Sequence, residues 1–200
     1  MNVRDVIAKR RAVKHFDAGH LMAEDDFKAL IETALLSPSS FNLQHWRFVR
    51  VRDDEKRAEI RAAAWDQAQV TEASELLVLC ADLAAWKNDA AYVWRDAPAE
   101  VSELMQSMIG PFYEGKDQLQ RDEALRSVGI ISQTLMLAAQ EIGYDTCPMI
   151  GFDADKVAEI INLPEDHIIG MIITLGKRSK EPFEHGGRLS YEKALVENEF

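Results

Sequence analysis

The sequence predicts a layered α/β or α+β sandwich, and three observations carry that expectation. "ELLVLCAD" at 75–82 is an unbroken apolar run of strand length, as a central strand covered on both faces requires. "IIGMIITLGKR" at 168–178 is a second strongly apolar strand. Between and around these runs lie stretches whose apolar residues recur at helical spacing. No internal repeat, low-complexity tract or Ser/Gly linker interrupts the chain, so residues 1–200 are expected to form a single domain.

The elements follow in order. Residues 2–11 place Val3, Val6, Ile7 and Arg10 on helical spacing behind a capping Asn2. A second helix is predicted over about 24–36, with Phe27, Leu30, Ile31, Ala34 and Leu35 as its apolar stripe. Pro38 stops it near Ser37, because the residue before a proline avoids helical backbone. "WRFVRVRD" alternates Trp46, Phe48, Val49 and Val51 with arginines and reads as a half-buried strand. Residues 54–69 read as a charged amphipathic helix, and 84–117 as a variable segment with one or two helices. The strongest helix is 121–142, with acidic residues in its first turn and Gly143 as its C-cap. Its apolar residues wrap more than one face. They fit either a sheet on one side and a partner subunit on the other, or a central place within a monomer. "GYDTCPMIGF" reads as a turn, 153–161 as a short helix, and 180–200 as a C-terminal arm that needs something to lie across.

Composition narrows the function classes. The chain is 47% hydrophobic and 28% charged, which suits a globular protein rather than a disordered one. With 23 basic and 34 acidic side chains and a net charge of −11, no general affinity for nucleic acid or an anionic membrane is expected. Any anion must be captured locally. Cys80 sits in an apolar strand and Cys147 precedes Pro148; without paired spacing they support neither a zinc site nor a disulfide framework. No metal is expected. The N-terminus has no apolar signal region and no run reaches transmembrane length, so the expectation is a cytoplasmic protein.

Against that acidity, "KRRAVKHF" at 9–16 is a cationic knot. Arg10, Arg11 and Lys14 lie where a helix should end, and an arginine fork grips a phosphate by two hydrogen bonds. The alternative is that these cations compensate the helix dipole. "SPSSFNLQHW" at 37–46 supplies Ser39, Ser40, Asn42 and Gln44, neutral groups suited to heterocycle edges or to capping their own turn. In "TCPMIG" a proline and a glycine permit close approach of a backbone N–H to a flat ligand.

Taken together, "KRRAVKHF", "SPSSFNLQHWRFV", "IGYDTCPMIGFD" and "GGRLS", in this order and from about residue 2 to 191, resemble the nitroreductase family of FMN-dependent oxidoreductases. The resemblance implies an α+β fold: a three-layer α-β-α sandwich with a mixed, mainly antiparallel sheet, in an intertwined homodimer. It implies two FMN sites at the interface, with NADH or NADPH as reductant. Position by position, Arg10 and Arg188 match residues that hold the flavin phosphate, and Arg11 falls in the same cradle. Lys14 matches the cation at the pyrimidine end of the ring. Pro38, Ser39 and Ser40 match the piece contributed by the other subunit, with Asn42 beside them. Gln69, and less directly Gln67, fall near a polar contact to the ring edge. Ile150 and Gly151 match backbone N–H donors at flavin N5 and O4, and Pro148 belongs to the same stretch.

Three positions depart from the family pattern: Ala12 where Ser is frequent, His45 where Pro is frequent, and Ile150 where some members carry Glu. The implied chemistry is two-step transfer of hydride from a nicotinamide to the flavin, then of electrons to a planar quinone, nitroaromatic or similar oxidant. No catalytic side chain is required. Trp94, Phe112 and Tyr113 are candidates for a channel wall or for packing. Two alternatives stay open: a flavin-binding or regulatory dimer with little turnover, and a reductive dehalogenase or flavin-breakdown relative.

Overall fold

A computed structural model describes residues 2–200. Four strands form one sheet in the order β1-β2-β4-β3: β1 Trp46–Arg50, β2 Glu75–Asp82, β3 Asp145–Met149 and β4 His167–Gly176. The expected central strand holds to the residue, since all eight positions of β2 are buried. Its side chains alternate faces, as the pleat demands. Leu77, Leu79 and Ala81 face α2 (Glu24–Ala34) and α8 (Asp117–Glu141). Leu76, Val78 and Cys80 face α3 (Asp54–Ala63) and α9 (Ala154–Ile160). Two cores on the two faces of one sheet make a three-layer α-β-α sandwich.

The sheet is antiparallel at every strand pair, so the mixed character expected of it is absent within the four strands. A parallel link does occur as an isolated bridge between Ala12 and Thr146 on the outer edge of β3. One residue of β4, Gly170, falls outside the β2–β4 register where it slips beside Leu79 and Cys80. A Cβ there would stand 2.6 Å from Val128 Cγ1, so this glycine lets α8 seat on the sheet.

Helix α1 (Val3–Lys9) is capped as expected, with Asn2 Oδ1 accepting from the Asp5 N–H at 3.1 Å. It ends two residues early because Arg10 turns to ψ 126°. Helix α8 begins four residues before its expected start, and Gly143 closes it at φ 79°. The stretch after it is corrected: half of the expected turn, Asp145–Met149, is strand β3. Residues 54–69 are also not one helix. The chain leaves α3 through Trp65 and Asp66, both at φ 55°, before the short α4 (Gln69–Glu72). The variable segment holds three helices rather than one or two: α5 (Ala85–Asn88), α6 (Ala90–Val93) and α7 (Ala99–Tyr113). They close a separate apolar cluster around Leu43, Ile109 and Tyr113. The arm carries only the short α10 (Tyr191–Ala194) and is exposed almost throughout. No helix among the described residues is long and apolar enough to cross a membrane.

The second apolar face predicted for α8 is real. Thr134, Leu137 and Ala138 line a cavity of about 290 Å³ with Val3 and Val6 of α1.

Candidate functional site

The end of α1 makes the cationic site. Because the helix stops at Lys9, the next residues run out as an extended segment along β3, where the Val13 N–H donates to Thr146 O at 3.0 Å. Arg10, Arg11, Ala12 and Lys14 then line a cavity of about 280 Å³, whose opposite wall is Phe183, His185 and Arg188 of the arm. Four cations separated by up to 178 positions in sequence thus meet in one cavity; Glu184 is the acidic residue among its lining.

Arg10 Nη1 is buried and has no hydrogen-bond partner among the described residues. Native proteins leave few such donors, and Arg10 is one of the residues that line the cationic cavity. Arg188 is exposed, and its guanidinium reaches Gly187 O and His185 Nδ1, both at 3.2 Å. Beside them, burial pushes the Cys147 thiol up, while Lys14 and Arg10 oppose that shift. The fit to a phosphate monoester is therefore good in charge and in donor type. With alanine at 12, no hydroxyl comes from that position.

β3 carries the site away from the cations. Thr146 pairs with Ala12, Cys147 adjoins Lys14, and Pro148 pairs with Ile173 near the strand end. Ile150 follows with 81% of its surface exposed. Gly151 accepts at its carbonyl from Gln67 Nε2 at 2.8 Å. The two glutamines are linked to each other and to this turn. Gln69 is buried and donates to Gln67 Oε1 at 2.9 Å, whereas half-buried Gln67 is the one that reaches Gly151.

Sequence reasoning missed Trp65. Its indole is 71% exposed, and it lies so close over Gly151 that a Cβ there would stand 2.7 Å from Cζ3. The left-handed backbone that places it has no glycine or proline to announce it. The arm residues Phe183 and His185 were missed too, since nothing in their local pattern marks a cavity wall.

Pro38, Ser39, Ser40 and Asn42 do not line the cationic cavity. They form a tight loop at the far end of α2, in which Ser39 Oγ accepts from the Gln44 N–H at 2.9 Å. Tyr113, a channel-wall candidate, is fully buried and lines no open channel; Phe112 is partly exposed. His45 is buried, its Nδ1 3.0 Å from Ser127 Oγ, and burial lowers its pKa to about 4. Asp82, Asp166 and His167 cluster as metal ligands could, but Arg47 already donates to Asp82 Oδ2 at 2.8 Å.

Comparison with known proteins shows the family. Residues 7–177 match the family described as the Nitroreductase family. Protein DrgA of Synechocystis is 49% identical over 181 residues, covering 90% of this chain and 86% of that protein. MhqN of Bacillus subtilis, named as a candidate NAD(P)H nitroreductase, is 34% identical and covers 88% of each. A solved structure from Exiguobacterium sibiricum, described as a candidate nitroreductase in complex with FMN, superposes with a TM-score of 0.91 at 25% identity. The match covers 98% of this chain and 97% of that one.

Proposed function

The chain belongs to the nitroreductase family, and on that premise we propose that it is an FMN-dependent oxidoreductase using NADH or NADPH to reduce quinones, nitroaromatics or similar electron-poor rings. The observation that carries the reading is the cavity in which Arg10, Arg11, Lys14 and Arg188 meet in a chain of net charge −11. When bound, FMN would supply two-electron redox chemistry between a nicotinamide and an oxidant.

The protein binds and orients. Arg10, Arg11 and Arg188 hold the phosphate by charge-assisted hydrogen bonds. Lys14 sets a fixed positive charge where negative charge develops at the pyrimidine end of the ring. The backbone N–H groups of Ile150 and Gly151 would serve the ring's N5 and O4, with Pro148 preceding them in β3, and Gln67 and Gln69 brace that turn. No side chain acts as nucleophile or general acid. The exposed Ile150 and Trp65 give the oxidant an apolar surface on which to stack.

The site is completed by a second copy of the chain. Pro38, Ser39, Ser40 and Asn42 serve the flavin of the neighbouring subunit, which accounts for their distance from the cations. The apolar faces of α1 and α8 and the exposed arm suit a wide, intertwined interface. The protomer works as a single domain in the cytoplasm. The test is direct. The purified protein is expected to be yellow, to bleach within seconds under anaerobic NADH or NADPH, and to recover its colour on adding a quinone. Colour that persists with both donors refutes turnover, and a colourless protein that ignores added FMN refutes the flavin site.

A further inference from the structure

We propose that the helical segment 84–117 fixes the loop at 39–44 in its binding shape, with Tyr113 and Trp94 as positioning residues for the flavin of the neighbouring subunit. The inference rests on the function proposed above and adds a device to it. The loop is strained. Phe41, Asn42 and Gln44 have φ of 51°, 57° and 48°, and none is glycine. Backbone of this kind persists only where the surroundings impose it.

The surroundings here are one segment. Among the described residues, the hydrogen bonds that tie 40–42 to distant parts of the chain all reach it. Tyr113 OH donates to Ser40 Oγ at 3.0 Å, Trp94 Nε1 donates to Phe41 O at 2.9 Å, and Asn42 Nδ2 donates to Val93 O at 3.1 Å. Packing reinforces them. Phe41 lies 5.3 Å from Phe112 and 6.2 Å from Tyr113, and Trp86 stacks on Tyr113 at 6.2 Å.

The Tyr113 bond has a chemical consequence. A phenol is a stronger donor than an aliphatic alcohol, and burial pushes the Tyr113 pKa further up, so it stays protonated. Tyr113 therefore donates and Ser40 accepts. The Ser40 proton is then free for an acceptor other than Tyr113, such as one on a ligand. An aromatic cluster in one subunit thus sets a hydrogen-bond donor used by the other.

Tyr113→Phe keeps the ring and removes the donor. Its homodimer is expected to bind FMN about three- to tenfold more weakly, the effect of one neutral hydrogen bond. Mixed dimers distinguish positioning from general weakening. With Tyr113→Phe on one chain and Arg188→Ala on the other, both lesions fall in one site, and the other site binds one FMN with wild-type affinity. With both substitutions on one chain and none on its partner, each site carries one lesion and no wild-type site remains.

The reverse pattern, absence of an intact site in both pairings, or unchanged FMN affinity in the Tyr113→Phe homodimer overturns the proposal. Trp94→Phe removes the second donor and is expected to give the same pattern, which keeps the test available if Tyr113→Phe folds poorly. Wild-type protein titrated alongside separates the two levels. Stoichiometric FMN uptake by it upholds the function while the variants judge the loop, and no uptake at all overturns both.

Discussion

Arg10→Ala should weaken FMN binding without weakening the flavin-free protein. In the free protein Arg10 Nη1 is buried with no partner among the described residues, and such a donor costs about 1–3 kcal/mol. A phosphate oxygen removes that cost and adds a charge-assisted bond worth about 1.5–3 kcal/mol. Losing that bond corresponds to an increase in Kd of about 10- to 150-fold. The flavin-free melting temperature is expected to hold or rise, because the substitution deletes an unsatisfied group. Arg188 differs because it is exposed and solvated before binding. Arg188→Ala should sit near the tenfold end, and its effect should shrink in high salt, where screening acts within about 10 Å. The assay is quenching of FMN fluorescence on titration into flavin-free protein, paired with thermal melts with and without FMN. Unchanged Kd in both variants would refute the phosphate cradle. An equal fall of both melts for Arg10→Ala would show that Arg10 is structural.

Three further outcomes follow from the fold. His45 is neutral in the native state, its pKa lowered by burial to about 4 from an ordinary 6.5. The unfolded chain therefore binds the extra proton first, and stability falls as pH drops through 6.5 toward 4. At ~1.4 kcal/mol per pH unit the whole effect is about 3 kcal/mol, with about 2 kcal/mol lost between pH 7 and 5. Urea unfolding at fixed protomer concentration checks it: His45→Gln should flatten that part of the pH dependence, and an unaltered slope excludes His45 as its source. Gly170→Ala drives a Cβ to 2.6 Å from Val128 Cγ1 and should cost about 1–3 kcal/mol by the same assay. Arg57 donates to the carbonyls of Val51, Ala73 and Ser74, at 2.9, 2.7 and 3.0 Å. Arg57→Leu strands all three and should lower the urea midpoint by the equivalent of about 3 kcal/mol or more.

What could be read from the residues divides along physical lines. β2 was legible because the six-residue apolar run between Glu75 and Asp82 suits a strand covered on both faces. The end of α8 was legible because only glycine sits comfortably at φ 79°. β3 was not, since Pro148 and the flanking glycines signal a turn; the strand forms because its backbone pairs with β4 on one side and the segment at 12–13 on the other. The break at Trp65 and Asp66 was hidden for a related reason. It is held by Arg61, whose Nε donates to Asp66 Oδ1 at 2.6 Å, and by the Asp66 N–H to Arg61 O, neither of which leaves a glycine or proline behind.

The cationic cavity lies between these cases. Local pattern identified Arg10, Arg11 and Lys14 as a cluster, and motif order added Arg188, but only the extended segment beside β3 brings them together. The loop at 39–44 carries the point furthest. Its polar residues were visible, yet its shape depends on Tyr113 and Trp94, more than 50 positions away, in the stretch with the least periodic signal. A binding loop whose strain is borne by a remote aromatic cluster can keep its own sequence while its geometry is adjusted from outside. Substitutions in 84–117 are then expected to tune cofactor retention without touching a ligand-binding residue, which is why that segment, rather than the loop itself, is the place to look for differences in binding between chains that share these motifs.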